Sequence, residues 1–350
     1  MVVEPESFAW TTGRRVERRD GETWAAEFLQ LPALEYAVTD GGKGLEKGLR
    51  LAAKQRPCLR HGLDVFHTLQ EGKRALRRAY GRVGRAIDQA DGKQKEVDRL
   101  HRRGKSVQGK APHAAKRWRK AEELLDRTAE AEAAWKRVEQ ALELFTPEGK
   151  LQERCQAEGR VAEALPRLTD PEWAKTVRIL KRPETFAFLD RAKEQLAALQ
   201  LPEETREALL DLEGLRRRPQ LLRGEGPAAG AARGRAIVRT VQLHKSDPCW
   251  QEHAEEVRRA LRRAWRASSL VEGINSVARM QQARHRRMTQ GLLDLKRLYW
   301  NLRHFRVGRR RGKTPYEMLG LHLPEGGWWQ LLKLTPAQLT QHLSAQGDTL

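Results

Sequence analysis

Arg266-Ala-Ser-Ser-Leu-Val-Glu272-Gly-Ile-Asn275-Ser-Val-Ala-Arg279 is the stretch on which the reading of this 350-residue chain turns. Ser269 stands three residues before Glu272, the spacing of a capping box in which the serine caps a helix start and the glutamate reaches back to it. On the helix that follows, Glu272, Asn275 and Arg279 share one face, because residues three, four and seven apart lie nearly above one another. An acid, an amide and a guanidinium then point together. Two readings stand side by side: Glu272 as a cap only, and Glu272 as a carboxylate aimed at a ligand.

The helix is expected to continue as a basic segment to near Arg311. Between Arg279 and Lys313 twelve cations (Arg279, Arg284, Arg286, Arg287, Lys296, Arg297, Arg303, Arg306, Arg309, Arg310, Arg311 and Lys313) meet a single acid, Asp294. Leu292, Leu295, Leu298, Tyr299 and Leu302 place an apolar stripe among them, so we expect a packed helix with a basic face. Trp300, His304 and Phe305 interleave with the cations, a mixture suited to phosphate contact and base stacking. An ordinary solvated face carries both signs of charge. These twelve cations are therefore the candidate DNA-binding residues.

The whole chain points the same way. Its formal net charge is +21 and its pI about 10.4, which concentrates polyanions and makes nucleic acid the leading partner class, ahead of an anionic membrane surface. The three cysteines, Cys58, Cys155 and Cys249, are far apart and form no CxxC pair, which argues against a disulfide framework or a zinc ribbon and for a reducing compartment. No run approaches the roughly 18 apolar residues of a membrane span, and the N-terminus lacks a signal-peptide pattern. The expectation is a soluble cytoplasmic protein.

Residues 1–68 mix strand and helix signals. Ser7 to Arg14 suits a strand or hairpin arm, Thr23 to Gln30 a short helix, and Leu34 to Thr39 a strand stopped at Asp40-Gly-Gly. Asp40 thus falls at the C-terminal end of a strand, where α/β sheets place ligand-binding groups. A second strand-like run, Leu59 to His67, carries Asp64 and His67 into another helix. Residues 69–262 then read as almost wholly helical, with Leu69 to Arg103 and Ala114 to Phe145 forming an antiparallel coiled-coil-type hairpin around the break at Gly104 to Pro112. The small-residue stretch Arg223 to Gly230 reads as a mobile joint. Residues 263–322 return to the opening stretch and its basic continuation, and 323–350 form a tail.

These residues resemble a family. Ser268-Ser-Leu-Val-Glu272-Gly-Ile-Asn275-Ser, Met288-Thr-Gln-Gly-Leu-Leu-Asp-Leu-Lys-Arg-Leu-Tyr-Trp300-Asn and Phe305-Arg-Val-Gly-Arg-Arg-Arg-Gly-Lys-Thr-Pro315-Tyr-Glu-Met-Leu-Gly320 together look like the C-terminal part of bacterial DDE transposases. Val38-Thr-Asp40-Gly-Gly-Lys-Gly44 resembles that family's second acidic position, and Asp64-Val-Phe-His67 its C/D-x-x-H motif. The resemblance implies an α+β, predominantly helical fold, in which a partial ribonuclease-H-like α/β core is interrupted by a large all-helical insertion. It implies Mg²⁺- or Mn²⁺-dependent phosphodiester cleavage and strand transfer on double-stranded DNA, with Asp40 and Glu272 as catalytic metal ligands and Asn275 in support. Asp64 and His67 either organise that site or form an ordinary strand-to-helix turn. The family's first aspartate has no counterpart in residues 1–20, where Asp20 sits in a charged turn, so the expectation is a chain truncated before it and impaired in catalysis. A homodimer is left open. Two other readings remain: a non-catalytic, transposase-derived DNA-binding protein, and an interaction protein whose charge serves solubility.

Overall fold

The computed structural model of the chain describes residues 1–218, 222–264, 269–284, 288–308, 310–321, 328–335 and 338. In chain order its elements are β1 (Val2–Val3), β2 (Trp10–Thr12), α1 (Gly21–Leu29), β3 (Tyr36–Thr39), α2 (Lys43–Gln55), β4 (Arg60–Leu63), α3 (Val65–Arg102), α4 (Ala111–Ala141), α5 (Arg154–Ala164), α6 (Ala174–Leu180), α7 (Ala187–Ala197), α8 (Glu203–Arg216), α9 (Pro227–Ser246), α10 (Trp250–Arg262), α11 (Ser269–Arg284), α12 (Gln290–Leu302), α13 (Pro315–Met318) and α14 (Trp328–Leu331). The fold is α+β and predominantly helical. It divides into two compact units, one of Met1–Glu35, Gly42–Leu59 and Ala267–Leu350, the other of Tyr36–Gly41 and Arg60–Arg266. No helix among the described residues is long and apolar enough to cross a membrane.

In the first unit, β1 and β2 pair antiparallel, and α1 packs on α2. Asp20 caps α1 by accepting from the Thr23 backbone N–H at 3.0 Å, which satisfies one of the otherwise unpaired donors of the first turn. Glycines set the helix–helix spacing. A Cβ at Gly44 would fall 2.2 Å from the Arg19 carbonyl oxygen, and one at Gly48 would fall 2.4 Å from the Trp24 Cβ. The small core of this unit joins Trp10, Ile274 and Trp300, with Val3, Phe8 and Leu293 packed around them.

The continuous basic helix expected from Arg279 to Arg311 is not what forms. Thr289 caps a separate helix, α12, accepting from the Leu292 backbone N–H at 3.2 Å. After Leu302 the described residues are not helical again until α13. Gly308 and Gly312 adopt φ of 78° and 79°, left-handed values that cost glycine little and other residues more. They flank a loop that is closed by Phe305 N–H to Lys313 O and Gly312 N–H to Phe305 O, each 2.9 Å.

In the second unit, β3 and β4 pair parallel, in register from Tyr36 opposite Arg60 to Thr39 opposite Leu63. Their link through α2 has the length a parallel crossover needs. Most of the unit is helical. Along α4, Ala121, Thr128 and Trp135 alternate with Leu124, Ala131 and Val138 at the three- and four-residue steps of a coiled-coil seam, and all six are buried. α3 meets them with Ala75, Ala79, Val83, Ala90 and Val97. Where the bulky Trp135 enters this seam, α3 supplies Gly72, at which a Cβ would lie 2.0 Å from the indole. Trp135 and Trp173, with ring centroids 5.6 Å apart, anchor a core that extends through Phe188, Leu243 and Leu261. The stretch read as a mobile joint is in part the first turn of α9, which begins at Pro227. Arg233 fastens the rest by donating to the carbonyls of Leu222 and Gly224 at 3.0 and 2.9 Å.

Candidate functional site

The site is built on α12 and the loop that follows it. Trp300 and Asn301, at the end of α12, hold this helix against β2. The Trp10 backbone N–H donates to the Asn301 side-chain oxygen at 2.8 Å, and the Asn301 amide nitrogen donates to the Trp10 carbonyl at 3.0 Å. The side chain thereby replaces a neighbouring strand. Trp300 donates from its ring nitrogen to the Phe8 carbonyl at 3.1 Å. Trp300 is 6 % exposed and Asn301 1 %, so Trp300 is a core residue, not the base-stacking aromatic that its place among cations suggested.

The loop is anchored by one of its own cations. Arg310 donates to the carbonyls of Glu6 and Pro5 at 2.9 and 2.8 Å and lies over the rings of Phe8 and Phe305. Those two rings stack 6.2 Å apart, brought together by the left-handed backbone of Phe8 at φ 65°, a conformation that costs a residue with a Cβ about 1–3 kcal/mol. Arg297 is likewise engaged, with Asp294 at 3.2 Å and the Thr11 carbonyl at 3.2 Å. Arg303 lies over the Trp300 ring at 4.4 Å but remains exposed.

Arg306, Arg311 and Lys313 differ from these. All three are exposed, and none forms an ion pair with a described residue. Beside them Tyr299 is 51 % and Val307 81 % exposed, and His304 also faces solvent. The loop therefore presents three available cations and an aromatic fringe, an arrangement able to take phosphate oxygens and stack on an exposed ring. Lys296 is half-buried. Arg279 is exposed on α11; Arg284 closes the same helix. Arg286, Arg287 and Arg309 lie outside the described residues, as does Ser268. Whether Ser269 caps α11 likewise lies outside the description.

A cleft of about 800 Å³ opens beside α12, lined by Thr12 to Glu17, Glu27, Gln30, Gln290, Asp294 and Arg297. The sequence reading missed it, because its walls come from ends of the chain some 280 residues apart. Gln290 holds them together, accepting from the Arg15 N–H at 2.8 Å and donating to the Gly13 carbonyl at 3.0 Å.

Glu272 lies in the first turn of α11 and half-faces solvent; its carboxylate is 3.7 Å from the Arg279 guanidinium, with side-chain exposures of 45 % and 71 %. A pair so exposed is worth about 1 kcal/mol at most, so it does not tie the glutamate down. Asn275 is half-buried one turn on. In the second unit, Asp40 follows the last residue of β3 and is exposed. Asp64 is buried at the start of α3 and acts as its N-cap, accepting from the His67 backbone N–H at 3.1 Å, while its own N–H donates to the Thr39 carbonyl at 2.8 Å. The His67 ring lies 3.7 Å from the same carboxylate. Asp40 and Glu272 are accessible carboxylates, the hard oxygen donors that Mg²⁺ and Mn²⁺ take. Among the described residues no three His, Cys, Asp or Glu side chains gather as a metal-binding group.

Comparison with known protein families, curated proteins and solved structures finds no match for this chain.

Proposed function

We propose that this chain acts on double-stranded DNA in the manner of a DDE transposase, gripping the phosphate backbone with the loop after α12. The observation that carries the proposal is the charge and exposure of that loop: Arg306, Arg311 and Lys313 are exposed and form no ion pair with a described residue, on a glycine-turned frame in a segment of twelve cations and one acid. The resemblance in residues 268–320 supports the same reading, as do the parallel pair β3 and β4 with Asp40 at its edge, read here as part of a ribonuclease-H-like core. In this reading Asp40, in the second unit, and Glu272, in the first, would each offer a carboxylate to a metal ion, with Asn275 in support of Glu272. Mg²⁺, when bound, supplies activation of a water or 3′-hydroxyl and stabilises the leaving oxygen.

Two measurements test it. Duplex binding by fluorescence anisotropy is expected to weaken linearly with log salt, and the Arg306→Gln/Arg311→Gln/Lys313→Gln variant to lower that slope by up to about 2.7, at roughly 0.9 per phosphate contact. Unchanged affinity and slope would sink the loop's role. The wild type is expected to nick supercoiled plasmid only weakly with Mg²⁺, since Asp20 does not stand in for the family's first aspartate, and Glu272→Gln is expected to abolish that residual nicking while DNA binding persists. A wild-type chain that binds DNA and makes no nick with Mg²⁺ or Mn²⁺ would instead identify a non-catalytic DNA-binding protein.

A further inference from the structure

The hairpin of α3 and α4 ends in a second concentration of positive charge. From Arg99 to Lys120 there are nine Lys and Arg and no Asp or Glu. The rest of the two helices is balanced: residues 65–98 hold five acids and eight bases, and residues 121–141 six acids and three bases. The tip's nine charges and the net eleven of residues 279–313 account for all but one of the chain's +21. The surplus is thus concentrated in two places, one in each unit.

All nine side chains at the tip are exposed. Only Lys110 forms an ion pair with a described residue, Glu96 on α3. Arg117 donates to the Gln89 amide oxygen at 3.3 Å and Arg102 to the Asp98 carbonyl at 3.5 Å, which leaves their charge uncompensated. The cations are also held on a stiff support. Val97 and Ala114 close the seam beneath them, and Arg82, the point at which α3 is pinned to Asp170 and Glu172, lies 20 residues before Arg102, about 30 Å at 1.5 Å per helical residue.

We infer that this tip is a second DNA-contacting surface, which binds the phosphate backbone of duplex DNA without regard to sequence. The inference rests on the reading of the chain as a protein that acts on DNA. Several features favour that partner. Two helices side by side span about 20 Å, too broad for the roughly 12 Å major groove, so the tip meets phosphates and not base edges. None of the large apolar side chains exposed on the molecule lies between Arg99 and Lys120, whereas an interfacial membrane anchor sets apolar residues beneath its cations.

The test compares three proteins on a 60-base-pair duplex of arbitrary sequence: the wild type, the tip variant Lys116→Gln/Arg117→Gln/Arg119→Gln/Lys120→Gln, and the loop variant Arg306→Gln/Arg311→Gln/Lys313→Gln. Glutamine keeps good helix propensity, and an unchanged thermal transition verifies the fold. The tip variant is expected to lower the log-affinity against log-salt slope by about 2–4, equally on unrelated sequences. In the wild type, duplex DNA is expected to protect Lys105, Lys110, Lys116 and Lys120 from acetylation, a readout that does not depend on any variant folding. A tip variant with the wild-type slope, together with unprotected tip lysines, overturns the inference; if the loop variant still loses affinity, the DNA reading survives. A wild type that binds no duplex overturns both. Stronger protection by duplex RNA, or by phosphatidylserine vesicles at equal phosphate, overturns DNA as the partner of the tip.

Discussion

Replacing Asn301 with Ala removes a side chain that pairs with both backbone groups of Trp10. In the wild type the amide accepts at 2.8 Å and donates at 3.0 Å, and both residues are almost fully buried. The variant leaves one N–H and one C=O without partners where water has little access. Each such orphan costs about 1–3 kcal/mol, so the pair costs about 2–6 kcal/mol, with water entering the space left by the amide bringing the value toward the lower end. A loss of 3 kcal/mol lowers the midpoint of a unit of this size by about 6–12 °C. Thermal unfolding followed by circular dichroism measures the shift. Hydrogen exchange over residues 9–12 locates it, since the Trp10 amide is expected to lose most of its protection. The loop of Arg306 to Lys313 begins five residues beyond Asn301, so duplex affinity is expected to fall with the loss of β2 docking. An Asn301→Ala protein with wild-type stability and unchanged exchange at Trp10 would refute the idea that this amide holds α12 to β2.

Two further outcomes follow from the second unit. The Tyr36 hydroxyl is buried without a hydrogen-bond partner among the described residues, and a Cβ at Gly62 would lie 2.1 Å from it; burial, opposed by the nearby Arg191, pushes its ionisation far above the ordinary phenol value. The folded chain then holds the phenol proton more tightly than the unfolded chain, so stability falls as pH rises above about 10. Tyr36→Phe is expected to be neutral to about 1 kcal/mol stabilising at pH 7 and to remove that alkaline loss, and denaturant titrations at pH 7 and above pH 10 check both; an unchanged alkaline loss counts against it. At the start of α3, Asp64→Ala is expected to cost about 1–2 kcal/mol by removing the cap, whereas Asp64→Asn, which can still accept from the His67 N–H, is expected to cost a few tenths. Equal stability of the Ala variant and the wild type in urea unfolding would remove the capping role.

The helical hairpin was legible from two long helical runs flanking the break at Gly104 to Pro112, but its seam was legible only in part. The apolar stripe Trp118, Leu125, Ala129, Trp135, Val138 and Leu142 includes the buried Trp135, Val138 and Leu142, whereas Leu125 and Ala129 are exposed. The seam runs instead through Ala121, Leu124, Thr128 and Ala131, mostly small or polar residues that an apolar stripe does not single out. The strand end at Asp40 was legible from glycines that halt an apolar run. Asp64 is a different case. Its type and position before a helix fit a cap and a chemical residue equally, and only the bond to the His67 N–H shows the capping contact. The separate start of α12 was not legible, since the run of cations from Arg279 onward with the stripe Leu292, Leu295, Leu298, Tyr299 and Leu302 suggested one continuous helix, and only the extended backbone of Thr289 shows that it caps a new one.

What the amino-acid order alone determined about this protein is where helices form and where charge collects, because both depend on residues close together in the chain. It placed the surplus cations in residues 99–120 and 279–313 without any coordinates. What only the tertiary structure decided is which groups in such a segment are available. Trp300 and Arg310 stand among apparently equivalent neighbours, yet one is buried against Trp10 and the other bonded to the Glu6 and Pro5 carbonyls, while Arg306 and Arg311 face solvent. Their partners lie some 290 to 305 residues away in sequence. Contacts made across that separation leave no period or motif to read, and they sort the cations that hold the fold together from those left to meet a ligand.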